Sequence, residues 1–191
     1  LRFREATITS FVREACKPLR TAGLEAGLDC FSPCLARSVG QDLRALGETG
    51  DWIKVMSYGR ALGPAGLPFE LAGLAGYLVN AAGHTEADAL AILSRATGLR
   101  LPPTLEALRH HGLAAEEVGR EVRRGVAATS AALLAGLEAV DLAGVCETTP
   151  ERLQQDLLAD QAAQPAGLSI SWDLMDIPER NLRALRSSWM S

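Results

Sequence analysis

Asp29, Lys54, Glu138 and Asp173 fall in four separate short segments, each of which reads as a β-strand. Side chains alternate along a strand, so every segment divides into two faces. In the first, Glu25, Gly27, Asp29 and Phe31 oppose Leu24, Ala26, Leu28 and Cys30. In the second, Lys54, Met56 and Tyr58 oppose Ile53, Val55 and Ser57, and in the third Gly136, Glu138 and Val140 oppose Leu137, Ala139 and Asp141. In the fourth, Ser169, Ser171 and Asp173 oppose Leu168, Ile170 and Trp172. One face of each segment is apolar enough to meet a helix layer, and the other carries the charge. A slip of one residue would reverse this assignment. Lys54 placed between Asp29 and Glu138 would offset part of the cost of burying the carboxylates and keep both ionised. Carboxylates gathered at strand ends are the equipment of general acid/base or nucleophilic chemistry. The plain structural alternative is a layer of salt bridges that fills an interior.

The elements that must position these residues alternate. Thr9 to Thr21 is predicted to be an amphipathic helix with Phe11, Val12, Ala15 and Leu19 as its apolar stripe, stopped at Gly23. A strand over Leu24–Phe31, a helix over Leu35–Leu46 and a strand over Asp51–Tyr58 follow, then a Gly/Pro-rich loop and a helix over Phe69–Ala81. From His84 to Thr129 the pattern is helix after helix, broken at Pro102-Pro103, and Ala114–Ala132 is its longest run. This stretch, about residues 84–132, reads as a helical insertion or an elaborated outer layer. The rhythm resumes with a strand over Leu134–Leu142, a helix over Thr149–Ala162, a strand over Leu168–Leu174 and a closing helix over Asn181–Trp189. Thr149-Pro150 pairs a capping residue with a first-turn proline. Four strands alternating with helices predict an α/β fold with four parallel strands and outer helices. Since a closed (β/α)8 TIM barrel takes eight such units, the expectation is a single domain over 1–191 forming the C-terminal part of one.

Composition narrows the classes. The 191 residues are 48% hydrophobic and 22% charged, which suits one packed domain, and a net charge of -4 recruits neither nucleic acid nor an anionic membrane. No window reaches the length of a membrane span, and Leu1-Arg2-Phe3-Arg4-Glu5 has no apolar core of a signal peptide. A cytoplasmic setting is expected, with Cys16, Cys30, Cys34 and Cys146 reduced. The sequence is expected to begin inside a longer reading frame or after a non-standard start. Cys30-x3-Cys34 lacks a second ligand pair, so no metal is expected, and no cofactor either. Gly40-Gln41-Asp42 reads as part of a helix, and Gly63-Pro64-Ala65-Gly66 lacks the Lys and Ser/Thr of a phosphate loop. His110-His111 reads as a solvated helix end, and Trp52 and Trp172 as outward-facing core residues rather than sugar platforms.

Gly27-Leu28-Asp29-Cys30-Phe31-Ser32-Pro33, then Val39-Gly40-Gln41-Asp42, then Asp51-Trp52-Ile53-Lys54-Val55-Met56-Ser57-Tyr58, resembles a pattern in uncharacterised bacterial proteins with a glycoside-hydrolase-like barrel. In that group a strand ending in Asp-x-Phe precedes a Gly-Gln motif, and the next strand ends in Met-x-Tyr. Ser169-Ile170-Ser171-Trp172-Asp173 looks like the last strand of such barrels. Two departures stand out: the group's Lys-Pro-Met is Lys54-Val55-Met56, and the first half of the barrel is missing. The resemblance implies a carbohydrate-active hydrolase with Asp29 and Glu138 at the catalytic mouth.

The leading expectation is therefore hydrolysis of a glycosidic bond by a carboxylate pair, with a carbohydrate as substrate. Glu138 is the candidate nucleophile or base, Asp29 the candidate acid and Asp173 the reserve, while Lys54, Tyr58 and Ser171 form the substrate-binding set. A second reading makes Lys54 a Schiff-base lysine of an aldolase-type lyase, which borohydride trapping would reveal. A third is non-catalytic: a half-barrel that binds or assembles, as a homodimer or with a missing N-terminal half-barrel, through its open edges.

Overall fold

The computed structural model describes residues 1–189. Four strands, β1 (Gly27–Phe31), β2 (Trp52–Met56), β3 (Ala132–Glu138) and β6 (Gly167–Ser171), form one parallel sheet in that order. Two short strands, β4 (Asp141–Leu142) and β5 (Cys146–Glu147), pair as an antiparallel ribbon just beyond β3. The register sets Asp29 beside Lys54, Lys54 beside Leu134, and Glu138 beside Ser171. Cys30, Ile53, Val55, Leu133 and Ala135 are buried on the helix side, as alternation requires of a sheet covered on that face. The other face carries Gly27, Asp29, Lys54, Met56, Leu134 and Gly136. Among the described residues β1 and β6 each have a single strand neighbour, and the sheet does not close into a barrel.

Each crossover returns the chain through helices. Between β1 and β2 lie α2 (Pro33–Ala36), a 3-10 turn at Arg37–Val39 and α3 (Leu43–Gly47). The expected single helix over Leu35–Leu46 is interrupted because Gly40 takes a left-handed φ of 86° and Asp42 caps α3, accepting from the N–H groups of Arg44 and Ala45. Between β2 and β3 run α4 (Leu67–Ala82), α5 (Glu86–Thr97), α6 (Leu105–His111) and α7 (Ala115–Ala128). Here α7 is the helix that lies on the sheet, through Val122 against Ile53, Val55 and Leu133. In contrast, α4, α5 and α6 share a separate core of Leu67, Leu71, Leu90, Leu99 and Leu108, so the elaboration is narrower than residues 84–132 and begins with α4. The last units are α8 (Pro150–Gln161), capped by Thr149, and α9 (Glu179–Trp189).

Two further expectations need correction. The first helix, α1 (Arg2–Thr21), begins seven residues earlier than its stripe suggested and buries Glu5, Thr9 and Cys16 instead, leaving Phe11 72% exposed. The buried face rests on α3 and the 3-10 turn, where the Glu5 carboxylate accepts from Arg37 Nε at 2.8 Å, and of the expected stripe Val12 packs against the core. The fourth strand ends at Ser171, not Leu174: Asp173 turns back to accept from the Met175 N–H at 3.0 Å and starts a 3-10 turn over Leu174–Asp176. Among the described residues no helix is long and apolar enough to cross a membrane.

Candidate active site

Glu138 closes β3 and is 4% exposed. One carboxylate oxygen accepts from the Arg60 backbone N–H at 2.9 Å, and the other from the Cys146 thiol at 3.6 Å. Burial pushes its pKa up to about 7; the Arg60 N–H opposes that rise, the Asp156 charge adds to it, and the Ala61 N–H and Cys146 thiol oppose it. A carboxyl poised near neutrality gives and takes a proton with little driving force lost, as a general acid requires.

The fold builds this setting from several elements. The Arg60 side chain makes a two-pronged, buried ion pair with Asp156 of α8, both contacts at 3.1 Å. Its loop is held by the Leu113 N–H, which donates to the Gly59 carbonyl at 2.8 Å. Gly112 makes this approach possible: φ is +67°, and a Cβ there would sit 2.2 Å from the Gly59 oxygen. On the far side the Asn181 amide donates to the Ala139 and Thr148 carbonyls, both at 2.8 Å, tying α9 to the end of β3. The α4–α6 elaboration thus ends in a buttress for the loop that faces Glu138.

Asp29 and Lys54 are brought together: Nζ lies 3.0 Å from Oδ2, with the lysine side chain 14% exposed and the aspartate 56%. Burial pulls the Lys54 ammonium down, but hydrogen bonding to Asp29 and the nearness of Tyr58 outweigh it, leaving its pKa above the ordinary lysine value. An amine held charged is a poor Schiff-base nucleophile. Asp29 and Glu138 are not brought together. Lys54 is level with Leu134, four residues before Glu138, so the two acids stand roughly 13 Å apart along the strands and roughly 10 Å across them. Lys54 therefore bridges to Asp29 and not to Glu138.

The remaining expected residues cluster near Glu138. The Tyr58 ring lies over Gly136, where a Cβ would be 2.9 Å from Cε1. Ser171 is the register partner of Glu138, and its hydroxyl is buried without a hydrogen-bond partner. Asp173 stands two residues past Ser171, at the same end of the sheet, and is exposed. Neither tryptophan sits in a core. Trp52 covers Gly27 on the Lys54 side of the sheet, and Trp172 is 42% exposed beside Gly63, because the strand has ended and no helix covers it.

Sequence reasoning missed Arg60, Cys146, Asp156 and Asp160. The two aspartates had a legible signal, since with Leu153 and Leu157 they form the one stripe of α8 that helical spacing turns inward. Arg60 had none, being a loop residue whose contacts with Glu138 and Asp156 are long-range, and neither had Cys146, a ribbon residue brought back onto Glu138 by the turn between β4 and β5. Cys30 faces the core, the Cys34 N–H donates to Glu121, and among the described residues no group of three or more His, Cys, Asp or Glu is placed to hold a metal. Compared with known proteins, the chain matches no family model, no curated protein and no solved structure.

Proposed function

We propose that the chain carries a glycoside-hydrolase-like site at the C-terminal edge of the sheet, with Glu138 as the general acid that protonates the leaving oxygen of a carbohydrate substrate. The observation that carries this reading is the buried Glu138 carboxyl, lifted to about 7 and aimed by the Arg60 N–H at a strand end. The sheet, four parallel strands in sequential order, has the arrangement of consecutive units of a (β/α)8 barrel. Asp173 is an exposed carboxylate at that end; one oxygen accepts from the Met175 N–H, and the other is the one to activate water or to attack the sugar. Tyr58 and Ser171 flank the acid, and the half-exposed Trp172 offers a flat apolar ring of the kind that packs on sugars. Asp29 and Lys54, some distance down the sheet, form a positioning pair rather than a second catalytic pair.

The test is a series of glycosides with leaving groups of increasing basicity, hydrolysed by the wild-type chain and by Glu138→Gln. Loss of a general acid is expected to slow alkyl glycosides by about 100-fold or more and dinitrophenyl glycosides far less. A uniform loss across the series, or no hydrolysis by the wild-type chain, would overturn the proposal.

A second reading rests on the single strand neighbours of β1 and β6 and on the uncovered face that holds Asp29 and Lys54. In it the sheet pairs with a second copy. Light scattering would then give a dimer, and a monomer across all concentrations would exclude it.

A further inference from the structure

Beside this edge, and independent of the hydrolase reading, is a cleft of about 340 Å³ whose lining is cationic. Four parts of the chain meet there. The last turn of α6 supplies Arg109, His110 and His111, the loop after β2 supplies Arg60, the β4–β5 ribbon supplies Glu147, and the first turn of α8 supplies Arg152. Arg60 is neutralised by Asp156. Among the described residues neither Arg109 nor Arg152 has a carboxylate within ion-pair distance, and Arg152 spends one N–H on the Glu147 carbonyl. Glu147, the only acid in the lining, turns a carboxylate oxygen back to the Gly144 N–H at 3.3 Å. One cation is enough to complement the end of a helix as short as α6. Arg109 and Arg152 come from two separate helices to line one cleft, and their like charges repel unless an anion enters.

We propose that this cleft binds the phosphate of a phosphorylated small molecule. Planar guanidinium forks match phosphate oxygens in pairs, and one phosphate has oxygens enough for the forks of both Arg109 and Arg152 where a monocarboxylate serves one. The volume lies at the small end of ligand sites, which fits a metabolite rather than a polymer.

Calorimetry of the full chain with inorganic phosphate, and with acetate as the monoanion, tests the assignment. Phosphate is expected to bind more tightly than acetate, with affinity falling as sodium chloride is raised. The double variant Arg109→Ala/Arg152→Ala is expected to lose affinity about tenfold or more. Arg44→Ala/Arg95→Ala, which removes the same charge from exposed positions outside the cleft, is expected to bind like the wild type. Because all four positions are at the surface or partly so, thermal melting should show all proteins folded. No phosphate binding by the wild type, equal binding of acetate, or an equal loss in both double variants would overturn the assignment.

Discussion

Asp160 offers a sharp test of how burial governs this protein's ionisation. Its side chain is fully buried on α8, and neither carboxylate oxygen has a hydrogen-bond partner. Burial first, and the nearby Asp156 charge second, push its pKa from 3.8 to about 8. In the unfolded chain it behaves as an ordinary aspartate. Between those values the folded state holds a proton that the unfolded state has released, so stability falls as pH rises. The effect is absent below the unfolded value and complete above the folded one. At about 1.36 kcal/mol per pH unit, the interval sets a ceiling on the order of 6 kcal/mol. Local relaxation and water entry lower this, and about 3–6 kcal/mol is the expected loss between pH 4 and pH 9. That is a large part of the roughly 5–15 kcal/mol by which a domain is stable. Asp160→Asn keeps the shape and removes the titration. Urea unfolding of both proteins from pH 4 to pH 9, followed by far-UV circular dichroism, isolates the effect, because groups that titrate identically in both cancel in the difference. The curves should lie within about 1 kcal/mol at pH 4 and separate in favour of the variant through pH 8. Parallel pH profiles would refute the reasoning, since they would mean that Asp160 is solvated or paired in the folded protein.

Two further outcomes test the support of Glu138. Asp156→Ala strips the buried Arg60 guanidinium of its counter-ion and should cost about 3–5 kcal/mol in urea unfolding, against little cost if Arg60 swings into solvent. Gly112→Ala puts a methyl into the Gly59 carbonyl at a left-handed φ and should cost at least ~2 kcal/mol, with a loss under 0.5 kcal/mol telling against the buttress role of that turn.

What the sequence determined by itself is local. Period-two alternation sorted Asp29, Lys54, Tyr58, Glu138 and Ser171 to one side of the strands, and Thr149-Pro150 marked the start of α8, because both signals act within a few residues. The parallel sheet followed from the order of such units. The stagger of the strands was beyond reach. Asp29 and Glu138 share a face, yet pairing Lys54 with Leu134 sets them far apart along it. The first helix shows the same limit: Phe11 and Leu19 make the more apolar stripe, but the face that meets α3 and the 3-10 turn, with Glu5 accepting from Arg37 thirty-two residues on, is another one. Asp173 competes between strand and turn, and its side-chain bond to the Met175 N–H wins once β6 runs out of partners. The acidity of Glu138 and Asp160 was illegible for a deeper reason. Desolvation belongs to the surroundings of a group, and those surroundings are assembled from Arg60, Cys146, α8 and α9 only when the whole chain has folded.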